Sequence, residues 1–277
     1  MKKVLAFDVD QTLNVAKTPI PDEVAQLLLE CLRKGFSICP ISGQKFDQFL
    51  IQIVNPLIKN GAEPADLANL HLFVAQGTQY YSYKNGKTRG NKFISITTFP
   101  KGEKYDESRW KLVYNYPLTE AQVEKITATL EKAAKELGYW EEDKLKEGDE
   151  IIENRLSQVT FSALGQKAGT KAKYAWDPDC KKREQIVARC KKLAPEFDYE
   201  IGGTTSINAI TPGMNKVFGM THLLEELDVK KEDILYFGDM TQPGGNDYPV
   251  VQMGVKTITV RSHEDTAYAL RGILGVL

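Results

Sequence analysis

Apolar residues in the first third of the chain fall in short runs separated by longer stretches that repeat at helical spacing. Residues 4–9 form the first run and predict a strand, and residues 22–34 carry an amphipathic helical period that Gly35 stops. Residues 36–41 predict a second strand, 44–59 a helix stopped by Gly61, and 71–75 a third strand. Strands joined through helices of this length predict right-handed βαβ units on a parallel sheet.

The pattern then changes. Residues 79–84, the Asn85-Gly86 pair and residues 92–99 predict strand, tight turn and strand. Residues 119–137 predict a helix that Thr119 and Gln122 open as a capping box and Gly138 ends. One or two strands follow at 151–164, then a strongly charged, solvent-facing helix at 178–192. From about Gly202 the βα pattern returns, with short strands, a helix at 215–227, and strands at 234–237 and 256–260 on either side of a Gly-rich loop. The economical reading is an α/β protein. Residues 1–84 and 200–277 would build one Rossmann-like parallel-sheet core, and residues 85–199 an α+β domain inserted into it.

Composition narrows the function classes. The 277 residues are 42% hydrophobic and 26% charged, enough for a sizeable core. Lys and Arg total 36 against 37 Asp and Glu, so no net field draws in nucleic acid or an anionic membrane, and any anion site must be local. No apolar run reaches the roughly 18 residues of a membrane helix. Asp8 interrupts the first apolar run too early for a signal-peptide core, so a cytoplasmic location is expected. Cys31, Cys39, Cys180 and Cys190 lack metal-site spacing and read as reduced thiols, Cys39 in the core and the others on helix surfaces.

Chemistry in open parallel sheets gathers at the carboxyl ends of strands. Polar residues stand at four such places: Asp8, Asp10 and Thr12; Ser42 and Gly43; Lys216 opening the 215–227 helix; and Asp239 with Asn246 and Asp247 after residues 234–237. Strand alternation would put Asp8, Asp10 and Thr12 on one face if extended geometry persisted that far. Two carboxylates about 4 Å apart repel by roughly 4 kcal/mol at an effective dielectric near 20, so a cation or a shared proton is expected between them. Alone, D-x-D also suits a solvated turn or another kind of metal site, and a receiver domain also carries a strand-end Asp, but usually without an insert this large. His71, His222 and His263 are scattered without ligand spacing. Trp110, Trp140 and Trp176 all fall in the expected insert.

Taken in order, D-x-D-x-T, S-G after a strand, a lone Lys, and G-D followed by N-D resemble the haloacid dehalogenase superfamily of phosphotransferases. The insert resembles that superfamily's larger α/β cap, of the C2B type. The resemblance implies that Asp8 is the nucleophile that takes up a phosphoryl group and that Asp10 is the acid and base serving the sugar oxygens. It implies that Ser42 and Lys216 hold the transferring phosphoryl oxygens. It also implies Mg²⁺ held by the Asp8 and Asp239 side chains and the Asp10 backbone carbonyl, with Thr12, Gly43, Asn246 and Asp247 in support. Gln11 stands where the superfamily carries glycine.

The stretch "FGDMTQPGGNDYPV", residues 237–250, is more particular, and G-D-x-T-x-P-G-G-N-D resembles the eukaryotic-type phosphomannomutase branch. "RLSQVTFSALGQ" and "GGTTSINAITPGMNK" are similar to that branch's cap strand and its return into the core. Arg155 then matches one phosphate-binding arginine of the cap, while Gln166 and Lys173 replace two others. Ser206 matches a sugar-phosphate contact, and Asn208 replaces an aspartate. A mutase must grip the phosphate that is not reacting, for which arginine forks are suited, and a phosphatase need only admit water. The losses favour a phosphatase acting on a sugar phosphate, with a phosphomannomutase as the alternative and an inactive sugar-phosphate-binding protein as a third reading. The resemblance also implies a homodimer formed through the cap.

Overall fold

The computed structural model describes residues 4–83 and 110–276. The chain divides into two compact units, one of residues 1–115 and 216–277, the other of residues 116–215.

The first unit opens with β1 (Val4–Phe7), α1 (Asp22–Arg33) and β2 (Ser37–Pro40). The helical stretch after it is broken into α2 (Phe46–Phe49), a π-turn (Leu50–Val54) and α3 (Asn55–Lys59). Pro56 has no amide to offer the Gln52 carbonyl, which instead accepts the Ile20 N–H at 2.8 Å. β3 (His71–Val74), β4 (Gln79–Tyr83) and β5 (Trp110–Asn115) form an antiparallel sheet. Asn85-Gly86 and the strand expected at 92–99 lie outside the described residues.

The second unit holds α4 (Glu120–Glu136), β6 (Ile152–Asn154), β7 (Gln158–Ser162), α5 (Thr170–Trp176), α6 (Lys181–Leu193), β8 (Asp198–Gly202) and β9 (Ser206–Ile210). The Thr119–Gln122 capping box closes the start of α4. The four strands pair antiparallel in the order β6-β7-β9-β8. Val159, Phe161, Ile207 and Ala209 face α4 and α6, and the alternate residues Gln158, Thr160, Ser162, Ser206 and Asn208 form a polar face. α6 is not simply a solvent-facing helix, because it buries Ile186, Cys190 and an Arg183–Asp177 ion pair of 2.7 Å. Cys31 and Cys190 are likewise buried rather than superficial.

The chain returns to the first unit with α7 (Lys216–Glu226), β10 (Ile234–Gly238), α8 (Tyr248–Gln252), β11 (Lys256–Thr259) and α9 (His263–Gly275). The parallel sheet runs β11-β10-β1-β2, and bridges from Ile38 to Leu70 and from Ile41 to Phe73 carry it on to β3. Leu5 and Phe7 pack with α1, α3 and α9, whereas Val4 and Ala6 pack with α7 and α8. The inserted unit therefore begins at 116 and ends at 215, not at 85 and 199. β5 pairs with β4, and Trp110 packs edge-on to Phe46, so both belong to the first unit, while β8 and β9 complete the second unit's sheet.

Candidate active site

β1 lies between β10 and β2, and its register sets three polar loops side by side. The Asp8 N–H donates to the Phe237 carbonyl at 2.8 Å, and the Ile41 N–H to the Phe7 carbonyl at 2.7 Å. Asp8 thus follows the last strand residue beside Gly238-Asp239 on one flank and Ser42 on the other. It continues the Val4–Ala6 side of the sheet, the side on which α7 packs. Lys216, the first residue of α7, is 1% exposed, and its Nζ donates to Asp8 Oδ1 and Asp247 Oδ1, each at 2.5 Å.

Asp247 is held from three sides. The Tyr236 hydroxyl donates to its Oδ1 at 2.5 Å and the Met240 N–H to its Oδ2 at 3.0 Å. Gly238 is required next to it, since a β-carbon there would stand 2.6 Å from the Asp247 carboxylate. Carboxylate oxygens of Asp8, Asp239 and Asp247 lie within 4.8 Å of one another.

Burial pushes Asp8 well above the usual carboxylate range, Lys216 acts against that, and Asp247 and Asp239 add to it. Burial and then Asp247 push Asp239 up to about 6, Lys216 opposing. Burial also disfavours the charge on Asp247, but Lys216, Tyr236 and the Met240 amide outweigh it and hold this carboxyl below its ordinary value. Burial works against the Lys216 ammonium, and Asp247 and Asp8 more than offset it. One ammonium therefore faces three carboxylates, and buried charge left uncompensated is expensive. The donor set is all oxygen, and Asn246 Oδ1 is buried without a hydrogen-bond partner among the described residues. These features fit a hard divalent cation of the Mg²⁺ type.

Asp10 does not join this carboxylate cluster. Extended geometry ends at β1, and the chain turns, with the Leu13 N–H donating to the Val9 carbonyl at 2.8 Å and the Gln11 N–H to the Asn14 carbonyl at 2.9 Å. Gln11 takes φ +64° in that turn, the left-handed region that suits the glycine it replaces. The strand-face argument therefore reaches Asp8 but not Thr12, which is fully buried, its carbonyl accepting the Thr266 hydroxyl at 2.6 Å. Asp10 Oδ1 instead accepts the Lys17 N–H at 2.8 Å and Gln44 Nε2 at 2.9 Å. Ser42 is buried and tied to β3 by its N–H to the Phe73 carbonyl at 3.2 Å, and Gly43 links it to Gln44. Gln44 and Tyr236 were missed by sequence reasoning. Gln44's only signal was its place two residues after Ser42, and Tyr236's was strand alternation in β10.

In the inserted unit, Arg155 pairs through Nε with Glu153 Oε2 at 2.6 Å. Glu153 stands opposite Thr160 in the sheet register, and Thr160 opposite Asn208. Asn208 Oδ1 accepts the Thr160 hydroxyl at 2.9 Å, which leaves its amide hydrogens as its remaining donors. Ser206 pairs with Ser162 in the next register position on that polar face. Gln166 and Lys173 lie beyond β7, where the Lys173 ammonium donates to the Gln166 carbonyl at 2.8 Å and the Gln166 N–H to Asp149 Oδ1 at 2.9 Å.

Residues 137–276 match the sequence profile of eukaryotic phosphomannomutase, half of the chain. The chain belongs to the eukaryotic phosphomannomutase family. Similarity to individual family members is low but spans the chain. It is 25% identical over 272 residues to the phosphomannomutase of Encephalitozoon cuniculi, covering 96% of this chain and 91% of that one. It is 27% identical over 274 residues to that of Saccharomyces cerevisiae, covering 96% and 92%. Among solved structures, a haloacid dehalogenase-like hydrolase from Bacteroides thetaiotaomicron superposes with a TM-score of 0.60 at 13% identity, covering 99% of this chain and 100% of that chain. The ATP-bound Plasmodium falciparum IMP-nucleotidase superposes at 0.68 and 17%, covering 98% and 60%. The first shows that this phosphomannomutase-family chain shares the fold of a haloacid dehalogenase-like hydrolase.

Proposed function

We propose that this chain moves a phosphoryl group on a hexose phosphate through a covalent phosphate on Asp8, as a hexose-phosphate mutase. The observation that carries the reading is the Lys216 ammonium bridging Asp8 and Asp247 beside Asp239. Asp8 attacks phosphorus, the bond from phosphorus to the sugar oxygen breaks, and Asp10 gives that oxygen a proton. In the second half, a sugar hydroxyl loses its proton to Asp10 and attacks the same phosphorus, which frees Asp8. Lys216 and Ser42 hold the phosphoryl oxygens throughout. Asp8 and Asp239 would hold Mg²⁺ together with the Asp10 carbonyl, the cation supplying charge neutralisation and Lewis-acid polarisation of the phosphoryl group.

Gln166 and Lys173 favour a second reading, net hydrolysis. Gln166 is uncharged, and Lys173 gives a hydrogen bond to its carbonyl, where a mutase needs charged forks for the idle phosphate. Arg155, Ser206 and Asn208 are the cap groups assigned to that phosphate and to the sugar hydroxyls. Under either reading the ligand is a small phosphorylated sugar, and the protein is a cytoplasmic one, a homodimer through the cap, that engages neither nucleic acid nor a membrane. Among the described residues no helix is long and apolar enough to cross a membrane.

A ³¹P NMR time course with Mg²⁺ and α-mannose 1-phosphate, with and without catalytic hexose 1,6-bisphosphate, separates the readings. A growing 6-phosphate signal that needs the bisphosphate is the expected result. Inorganic phosphate alone would establish hydrolysis, and a silent spectrum across hexose phosphates would contradict both.

A further inference from the structure

A neutral amide faces Asp10, and the Asp239 carboxylate lies near enough for the two charges to act on each other. Gln44 is 7% exposed, and its Nε2 donates to Asp10 Oδ1 at 2.9 Å, while the Lys17 N–H reaches the same oxygen at 2.8 Å. The amide orientation is fixed by chemistry, because a carboxylate oxygen accepts and only the NH₂ end of glutamine can donate to it. Gln44 Oε1 is buried and has no hydrogen-bond partner among the described residues, so the side chain gives up one bond to make the other.

The backbone under Gln44 is braced as well. Its carbonyl accepts the Ala75 N–H at 3.1 Å, and the Ser42 carbonyl accepts the Gln76 N–H at 2.9 Å. Ala75 and Gln76 both take left-handed conformations to make those bonds, with φ of +49° and +62°. Such conformations cost roughly 1–2 kcal/mol each in non-glycine residues and persist only where the surroundings hold them.

We infer that Gln44 is a positioning residue for Asp10, fixing Oδ1 as its hydrogen-bond-accepting oxygen so that Oδ2 alone exchanges a proton with the sugar oxygen. The inference rests on the function proposed above. An oxygen that receives two N–H bonds serves as the carbonyl oxygen of a carboxylic acid, and the proton then rides on the other oxygen. A primary amide donates to Oδ1 in both states, as a group that alternates between acid and base requires.

The test compares Gln44→Leu and Gln44→Glu with the wild type on two phosphate esters, with the Asp8→Asn variant as the blank. A hexose phosphate has a poor leaving oxygen that needs the Asp10 proton, and 4-nitrophenyl phosphate has a good one that does not. Both variants are expected to lose roughly 30-fold or more in kcat on the hexose phosphate, with KM changed by no more than about twofold. Gln44→Leu is expected to lose no more than about threefold in the burst of nitrophenolate from the first half-reaction on the nitrophenyl ester, the step that does not draw on Asp10. Equal losses on both esters in Gln44→Leu would make Gln44 a purely structural residue, and full hexose-phosphate activity in the isosteric Gln44→Glu would remove the need for a donor. Either result overturns the inference while leaving the function proposed above intact. A wild type no more active than the Asp8→Asn blank on the hexose phosphate would overturn both.

Discussion

Lys216 and its two carboxylates depend on one another for their charge. Replacing Lys216 by methionine keeps the volume of the stem but leaves Asp8 and Asp247 without their shared counter-ion. Removing one partner of a buried pair costs about 3–5 kcal/mol, and urea unfolding in the absence of metal is expected to show a loss of that size. Asp8→Asn is expected to behave in the opposite way. Burial already opposes the Asp8 charge, so the neutral isostere should keep or raise the unfolding midpoint while abolishing turnover. Gln11 offers a third case, since it holds φ +64° without being glycine. Gln11→Gly should stabilise by up to about 1 kcal/mol, the relief of left-handed strain less the extra backbone entropy of glycine. These residues differ in how far sequence exposes them. Asp8, Asp239 and Lys216 announce themselves by strand-end position and motif. Gln44 has no such spacing, and its contact with Asp10 depends on a turn that reverses the chain after β1.

Among the elements, α7 is held against the loop after β3 by two glycines. A β-carbon on Gly77 would lie 2.2 Å from the Gly219 Cα, and one on Gly219 would lie 2.7 Å from the Gln76 carbonyl oxygen. Gly219→Ala must push α7 off this loop and draw Lys216 with it, so a loss of about 1–3 kcal/mol is expected together with reduced turnover. The β3–β4 pair carries a pH dependence of its own. His71 Nδ1 lies 2.8 Å from the Tyr80 hydroxyl, and burial pushes the imidazole down to about 4. The folded state therefore favours neutral His71, and its contribution is complete above the unfolded value near 6.5 and is lost as pH falls towards 4. Between about pH 7 and pH 5, the wild type should lose about 2 kcal/mol more than His71→Asn in parallel urea titrations. Hydrophobic alternation is enough to place β1, β2, β3, β10 and β11 within a residue or two. It does not find the π-turn, which depends on Pro56 withholding an amide from Gln52, nor β5, where Lys111 interrupts the apolar signal.

At the scale of the whole molecule, two stretches far apart in sequence build one site, and the order of the sheet is what joins them. β1 comes from the start of the chain and β10 from its last fifth, and their pairing sets Asp8 beside Asp239. That architecture was legible because strand ends, a lone lysine and G-D…N-D recur in a fixed order. The unit boundaries were less so, since both lie in stretches where strands of similar composition belong to different sheets. Arg155 illustrates the same limit, for its identity suggests a phosphate fork, whereas its Glu153 partner emerges only from the fold.

The central claim is that Asp8 carries the phosphoryl group. Acid quench of the protein turning over a ³²P-labelled hexose phosphate with Mg²⁺, followed by peptic digestion and peptide mapping at low pH, where an acyl phosphate survives, tests it most directly. The expected result is a covalent adduct confined to the peptide containing Asp8 and absent from Asp8→Asn. Turnover that proceeds without a covalent adduct, or an adduct that survives in Asp8→Asn, would contradict the account.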